Sequence, residues 1–128
     1  MKQLMLIVMI VMPNYLLADN KRMDFCRKIA NLENKNMPAT VDSLTTALNM
    51  NCKYNGNRVV AVYTYQGGLD KSNYKIDNRV INIKKNMLCS NPVTRKLLNI
   101  VDIEHENYDV NYEYIGSITV TRKDCLKQ

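Results

Sequence analysis

The stretch LTTALNMNCKYNGNRVVAVYTY, residues 44–65, decides the fold class. Residues 44–54 alternate, with Leu44, Thr46, Leu48, Met50, Cys52 and Tyr54 on one face and Thr45, Asn49, Asn51 and Lys53 on the other. Successive side chains of a pleated backbone point to opposite sides, so this period marks a half-buried strand. Asn55-Gly56-Asn57 follows, and an Asn-Gly pair accepts the positive φ of a tight hairpin turn. Residues 58–65 return as a strand rich in β-branched and aromatic side chains, ended by Gly67-Gly68. A hairpin therefore occupies this part of the chain.

Upstream, residues 21–37 form an amphipathic helix. Phe25, Cys26, Ile29, Ala30, Leu32 and Met37 fall on one face at helical spacing, opposite Arg27, Lys28, Asn31, Asn34 and Lys35. Asp19 or Asn20 caps its start and Pro38 stops it. Glu33 lands in the apolar arc and is expected at its rim.

Downstream, Ile76, Val80, Ile83 and Met87 make the stripe of a second helix. Asn91 and Pro92 supply an N-cap and a first helical position for a third, with Val93, Leu97 and Ile100 facing inward. The tail reverts to period two, placing Tyr108, Val110, Tyr112 and Tyr114 on one strand face. Ile115-Gly116 then turns into a closing strand over residues 117–122. The order is α-β-β-α-α-β-β, an α+β domain with a single antiparallel sheet packed by helices.

The chain has 128 residues, with 46% hydrophobic and 23% charged, which excludes wholesale disorder and allows one domain, residues 19–128. Residues 1–18 read as a signal peptide. Lys2 precedes the apolar run LMLIVMIVM, and Ala18 is a small residue before polar Asp19-Asn20-Lys21-Arg22. Residues 4–12 are too few to cross the ~30 Å core of a bilayer. Cleavage is expected near Ala18. Cys26 lacks a small-residue lipobox before it, so neither a lipid anchor nor a membrane span is expected in a periplasmic mature protein.

All four cysteines, Cys26, Cys52, Cys89 and Cys125, lie in the exported part, and no pair has CxxC spacing. Two disulfides are the expectation for an oxidising compartment. Of three connectivities, Cys26–Cys52 with Cys89–Cys125 keeps each bridge within one half of the chain. It also lets Cys26 on the helix face meet the inward Cys52.

The sequence offers little for catalysis. His105 is the single imidazole, in Glu104-His105-Glu106, and is expected to be solvated. The thiols are assigned to bridges, and no nucleophile elbow or phosphate loop is present. The reading is non-enzymatic, with no cofactor and no metal. Basic residues outnumber acidic ones 18 to 12, but they are dispersed, as on a solvated surface, and no nucleic-acid partner is expected. Tyr63, Tyr65, Tyr108, Tyr112 and Tyr114 are the candidate partner-binding residues, because tyrosine joins a large apolar face to a polar tip.

Met87-Leu88-Cys89-Ser90-Asn91-Pro92, then Arg95, Leu97-Leu98, the Tyr112-rich segment and a Cys near the C-terminus resemble the AspS-type pilotins of type II secretion. The likeness covers residues 80–125. It implies a small periplasmic protein with Cys89 bridged to Cys125, and a protein partner such as an outer-membrane secretin subunit. The setting would be type II secretion or a type IV pilus system. The missing lipobox and the extra pair Cys26 and Cys52 depart from that pattern. The implied role is an accessory or assembly factor that binds a segment of its partner between helix and sheet. The alternative is a periplasmic inhibitor or immunity protein that blocks a soluble enzyme or toxin.

Overall fold

A computed structural model describes residues 19–126. The expected signal peptide, residues 1–18, lies outside them. Helix α1, Asp19–Asn34, leads into strands β1 (Ala39–Asp42), β2 (Thr45–Asn55) and β3 (Arg58–Gly67). A short 3-10 turn, Lys71–Asn73, precedes helices α2 (Asn78–Ser90) and α3 (Pro92–Leu97). Strands β4 (Asp102–Tyr108) and β5 (Tyr114–Val120) and helix α4 (Arg122–Leu126) complete the domain. The α+β reading and the single helix-packed sheet hold.

The five strands lie in sequence order, β1 to β5. Three of the four pairings are antiparallel, and β3 and β4 run parallel. A parallel pair needs a crossover rather than a tight turn. Here α2 and α3 supply it, so the sheet is mixed where the sequence suggested antiparallel pairing throughout.

The hairpin forms as its residues dictate. Asn55 pairs with Arg58, and Gly56 sits in the left-handed region at φ 63°. One irregularity shifts the alternation in β2: Ala47 faces Tyr65 and Asn49 faces Thr64, so Leu48 is an extra, bulged residue. The bulge changes the parity, and Ala47 and Met50 are both buried. Leu44 and Tyr54, at the ends of the expected apolar face, are exposed instead.

Helix α1 lies over β2 and β3, while α2 lies against β5, α3 and α4. Beneath them the core gathers Cys26, Ile29, Met50, Val59, Ala61, Leu97, Leu98, Ile103, Ile118 and Val120. Cys26 is bonded to Cys52, which ties α1 to β2, and Cys89 to Cys125, which ties α2 to α4. Asn34 fastens the end of α1 by donating to the Met50 carbonyl at 2.8 Å and accepting its N–H at 2.7 Å.

Among the described residues no helix packs on the opposite sheet face. Lys53 of β2 and Glu104 of β4 form an ion pair at 3.2 Å, and since β3 lies between those strands the pair spans it. Lys53 is in register with Val60 and Glu104 with Val62, so the lysine stem shields both valines.

Several expectations change. Strand β1 was not legible. The buried side of α2 carries Val80, Ile81, Leu88 and Cys89, while Ile83 and Met87 of the expected stripe are exposed. Residues 102–108, not 108–114, form the fourth strand, and the chain reverses at residues 109–113. Glu33 is buried at 2% exposure rather than placed at a rim, and His105 is buried on β4 rather than solvated.

Candidate functional site

At the end of the sheet where β3 and β4 finish, Leu44, Tyr65, Leu69, Tyr74, Tyr108 and Ile115 line a cleft of about 310 Å³. Its walls follow from local chemistry. Asp42 accepts the Leu44 N–H at 2.8 Å and so tightens the turn between β1 and β2. Gly68 donates to the Leu44 carbonyl at 2.7 Å, which draws that turn onto the end of β3. A Cβ on Gly68 would sit in ordinary van der Waals contact with Leu44 at 3.5 Å, so the backbone hydrogen bond rather than the missing side chain holds this approach.

The far wall is held by Asp109, a fully buried carboxylate. One oxygen accepts from the backbone of Asn111 and Glu113, each at 2.8 Å, and the other from Lys71 at 3.0 Å. These backbone donors, that of Glu113 first, hold its pKa below the ordinary carboxylate value. Asp70 accepts from Ser72 and from the Asn111 side chain, and Lys71 pairs with Glu113 at 2.8 Å. The loop after β3 and the reversal after β4 are thus latched together.

This latch carries an aromatic platform. Tyr112 adopts φ 62°, a conformation that is uncommon for a residue with a Cβ and unfavourable unless its surroundings impose it. Its ring stacks on Tyr108 at 4.8 Å between centroids, and Tyr114 meets Tyr108 edge-on at 5.7 Å. Tyr108 anchors to Glu106 and Tyr114 to Ser117 through their hydroxyls. Tyr112 and Tyr114 are more than half exposed, so apolar surface is presented in a fixed geometry beside the cleft.

Behind Tyr65 the site passes into a buried polar cluster. Tyr65 packs on His105 at 4.7 Å and Tyr63 on His105 at 5.7 Å, with Lys84 over the Tyr65 ring. Burial pushes Tyr65 up to about 12, with the nearby Glu33 carboxylate adding to the shift. Tyr63 rises well above its ordinary value, chiefly from burial and then from Glu33. Burial, aided by Lys84, drops His105 to about 3, so the imidazole is neutral. Glu33 is raised by burial, which the Tyr63 hydroxyl partly counters. Neither Glu33 oxygen nor His105 Nδ1 completes a hydrogen bond of ordinary geometry. A neutral, enclosed imidazole is poorly placed to take a proton from a substrate.

The tyrosines therefore divide. Tyr65 and Tyr108 line the cleft, Tyr112 and Tyr114 form the platform, and Tyr63 lies in the core outside the cleft. The four cysteines are all bridged. Among the described residues no three His, Cys, Asp or Glu side chains gather as a metal site, and no helix is long and apolar enough to cross a membrane. Leu44, Leu69, Tyr74 and Ile115 were missed, because their meeting depends on loop packing that no periodicity encodes.

Superposition on solved structures pairs this arrangement of one sheet and its helices with the pilotin AspS of the Vibrio cholerae type II secretion system. The TM-score is 0.63 at 15% identity, over 84% of this chain and 95% of that one. The fold is that of the type II secretion pilotins. The Vibrio vulnificus type 2 secretion pilotin EpsS matches at TM-score 0.64 and 13% identity, over 84% of this chain and 94% of that one. A Pseudomonas aeruginosa protein described as secreted matches this chain at TM-score 0.64 and 14% identity, over 88% of this chain and 99% of that one. No family model and no curated protein matches the sequence, so the likeness rests on shape.

Proposed function

We propose that this protein is a non-enzymatic accessory factor of a secretin-containing secretion or type IV pilus system, exported to the periplasm. There it binds a segment of the secretin subunit. The observation that carries this reading is the apolar, tyrosine-lined cleft with its latched platform, on a fold shared with two secretion pilotins. Two disulfides fit an oxidising compartment.

The mechanism is stoichiometric. A partner segment lays apolar side chains against Leu44, Tyr74 and Tyr108, and the exposed rings of Tyr112 and Tyr114 extend the contact. Aromatic anchors of this kind carry most of the energy of a small interface. Because the latch fixes them in advance, little ordering opposes binding. Covering an apolar stretch of the partner protects it from misassembly until the oligomer forms.

The test is a titration of the purified protein with peptides tiling the periplasmic portion of the cognate secretin. Saturable binding of one segment, weakened by Tyr74→Ala, is the expected result. Absence of binding across the whole set contradicts the proposal.

A further inference from the structure

The charge around the tyrosine cleft runs against that of the whole chain, which carries a formal net charge of +6. Asp42 stands in the cleft wall, in the turn that leads to Leu44. Glu106 accepts the Tyr108 hydroxyl at 3.2 Å and so lies against the lining. Asp70, Asp109 and Glu113 belong to the latch beside them. The basic residues near the cleft are engaged or turned away. Lys71 is paired with Glu113 at 2.8 Å, and Lys84 of α2 lies over the Tyr65 ring at 5.7 Å. Tyr74 has an extended backbone, so Lys75 leaves the chain on the side opposite to the ring that lines the cleft. Among the described residues, neither Asp42 nor Glu106 has an ion-pair partner.

We infer that the segment docking in this cleft is basic: one bulky apolar side chain enters between Leu44, Tyr74 and Tyr108, and flanking arginine or lysine side chains meet Asp42 and Glu106. This rests on the reading of the cleft as the partner-binding site and names what the partner must carry. The cleft volume of about 310 Å³ lies at the small end of ligand cavities, which suits a single anchoring side chain. Carboxylates from two elements, the β1–β2 turn and β4, border the apolar lining, so a cation on either flank of the anchor finds an acid. The exposed rings of Tyr112 and Tyr114 add a second attraction, since an aromatic face draws a cation. An acidic segment meets like charge at both carboxylates, and a neutral one leaves them without a counter-charge. Charge of this sort selects among apolar segments more than it tightens any one of them.

The experiment is an NMR titration of the disulfide-bonded protein with the blocked hexapeptide Arg-Gly-Phe-Leu-Gly-Arg. Two further peptides carry Gln or Glu in place of both arginines. The expected result at low salt is saturable shifts at Leu44, Tyr74 and Tyr108. The Arg peptide should bind about tenfold tighter than the Gln peptide, with the Glu peptide weakest. At about 1 M salt the gap between the Arg and Gln peptides should close. Asp42→Asn and Glu106→Gln each keep an oxygen that accepts the Leu44 N–H or the Tyr108 hydroxyl. The double variant should therefore stay folded, bind the Arg peptide about fivefold more weakly and bind the Gln peptide as wild type does. Equal or tighter binding of the Gln or Glu peptide at the cleft overturns the inference and leaves the cleft as a docking site. A preference for Arg that survives in the double variant does the same. Shifts that map away from the cleft, or no saturable binding by any peptide, also overturn it, and the titration with secretin segments decides the function of the cleft separately.

Discussion

The Asp109 carboxylate accepts the backbone N–H of Lys71 at 3.0 Å, joining two loops 38 residues apart in the chain. The same group holds the N–H donors of Asn111 and Glu113, so one side chain closes the reversal and ties it to the cleft wall. Asp109→Ala leaves three donors seeking partners and releases Tyr112 from its left-handed backbone. Thermal unfolding at pH 7 should fall by about 5–10 °C, with loss of partner binding. The folded pKa of Asp109 is lowered, so its contribution is present above the unfolded carboxylate pKa and lost as pH falls through the folded value. The gap between wild type and variant should therefore shrink in acid below pH 4.

The cleft predicts a separation of binding from stability. Leu44 and Tyr74 are exposed and line it, so Leu44→Arg and Tyr74→Ala remove binding surface without opening the core. Each should weaken the secretin segment by about tenfold or more, with the unfolding midpoint within about 2 °C of wild type. Calorimetric titration and a thermal melt of the same samples read both quantities.

Two buried groups should give opposite pH slopes. The folded pKa of Glu33 lies above 4.5, so its stabilising share is complete below that pH and is lost as pH rises through the folded value. His105 sits at about 3 against an ordinary 6.5, so its share is complete above 6.5 and is lost as pH falls towards 3. Urea unfolding from pH 3 to 9 should show Glu33→Gln matching or exceeding wild type at pH 8. His105→Gln should gain on wild type as pH drops from 7 to 4. Parallel curves for all three proteins would exclude this assignment.

The bridges differ in what they tie but not greatly in strength. Cys26–Cys52 joins residues 26 apart and Cys89–Cys125 residues 36 apart. Chain entropy assigns each about 3.5–4 kcal/mol. That is a large share of the stability of a domain this small, which is typically about 5–15 kcal/mol. Replacing either pair by serine should lower denaturant stability by roughly 2–4 kcal/mol. Loss of Cys89–Cys125 should also loosen α4.

The hairpin was legible because Asn55-Gly56 has a local conformational preference, and the start of α3 because Asn91 and Pro92 cap it from within. Strand β4 was not. Its residues Asp102, Glu104 and Glu106 face the open side, and His105 faces the core, so charge obscured an alternation that tertiary pairing creates. The tyrosines at 108, 112 and 114 mimicked a strand. In fact the chain reverses between them around Asp109, whose side chain does work that a backbone pattern cannot reveal. The burial of Glu33 followed from helical geometry, but its polarity argued the other way. The cleft had no single signature, because Leu44, Tyr74 and Tyr108 come from three separate loops and strand ends.

The most direct measurement is the amount of assembled secretin multimer in cells lacking this protein, complemented with wild type or with Leu44→Arg. The account predicts that the multimer falls in the deletion, returns with wild type and does not return with Leu44→Arg produced at equal level. Undiminished multimer in the deletion strain would contradict it.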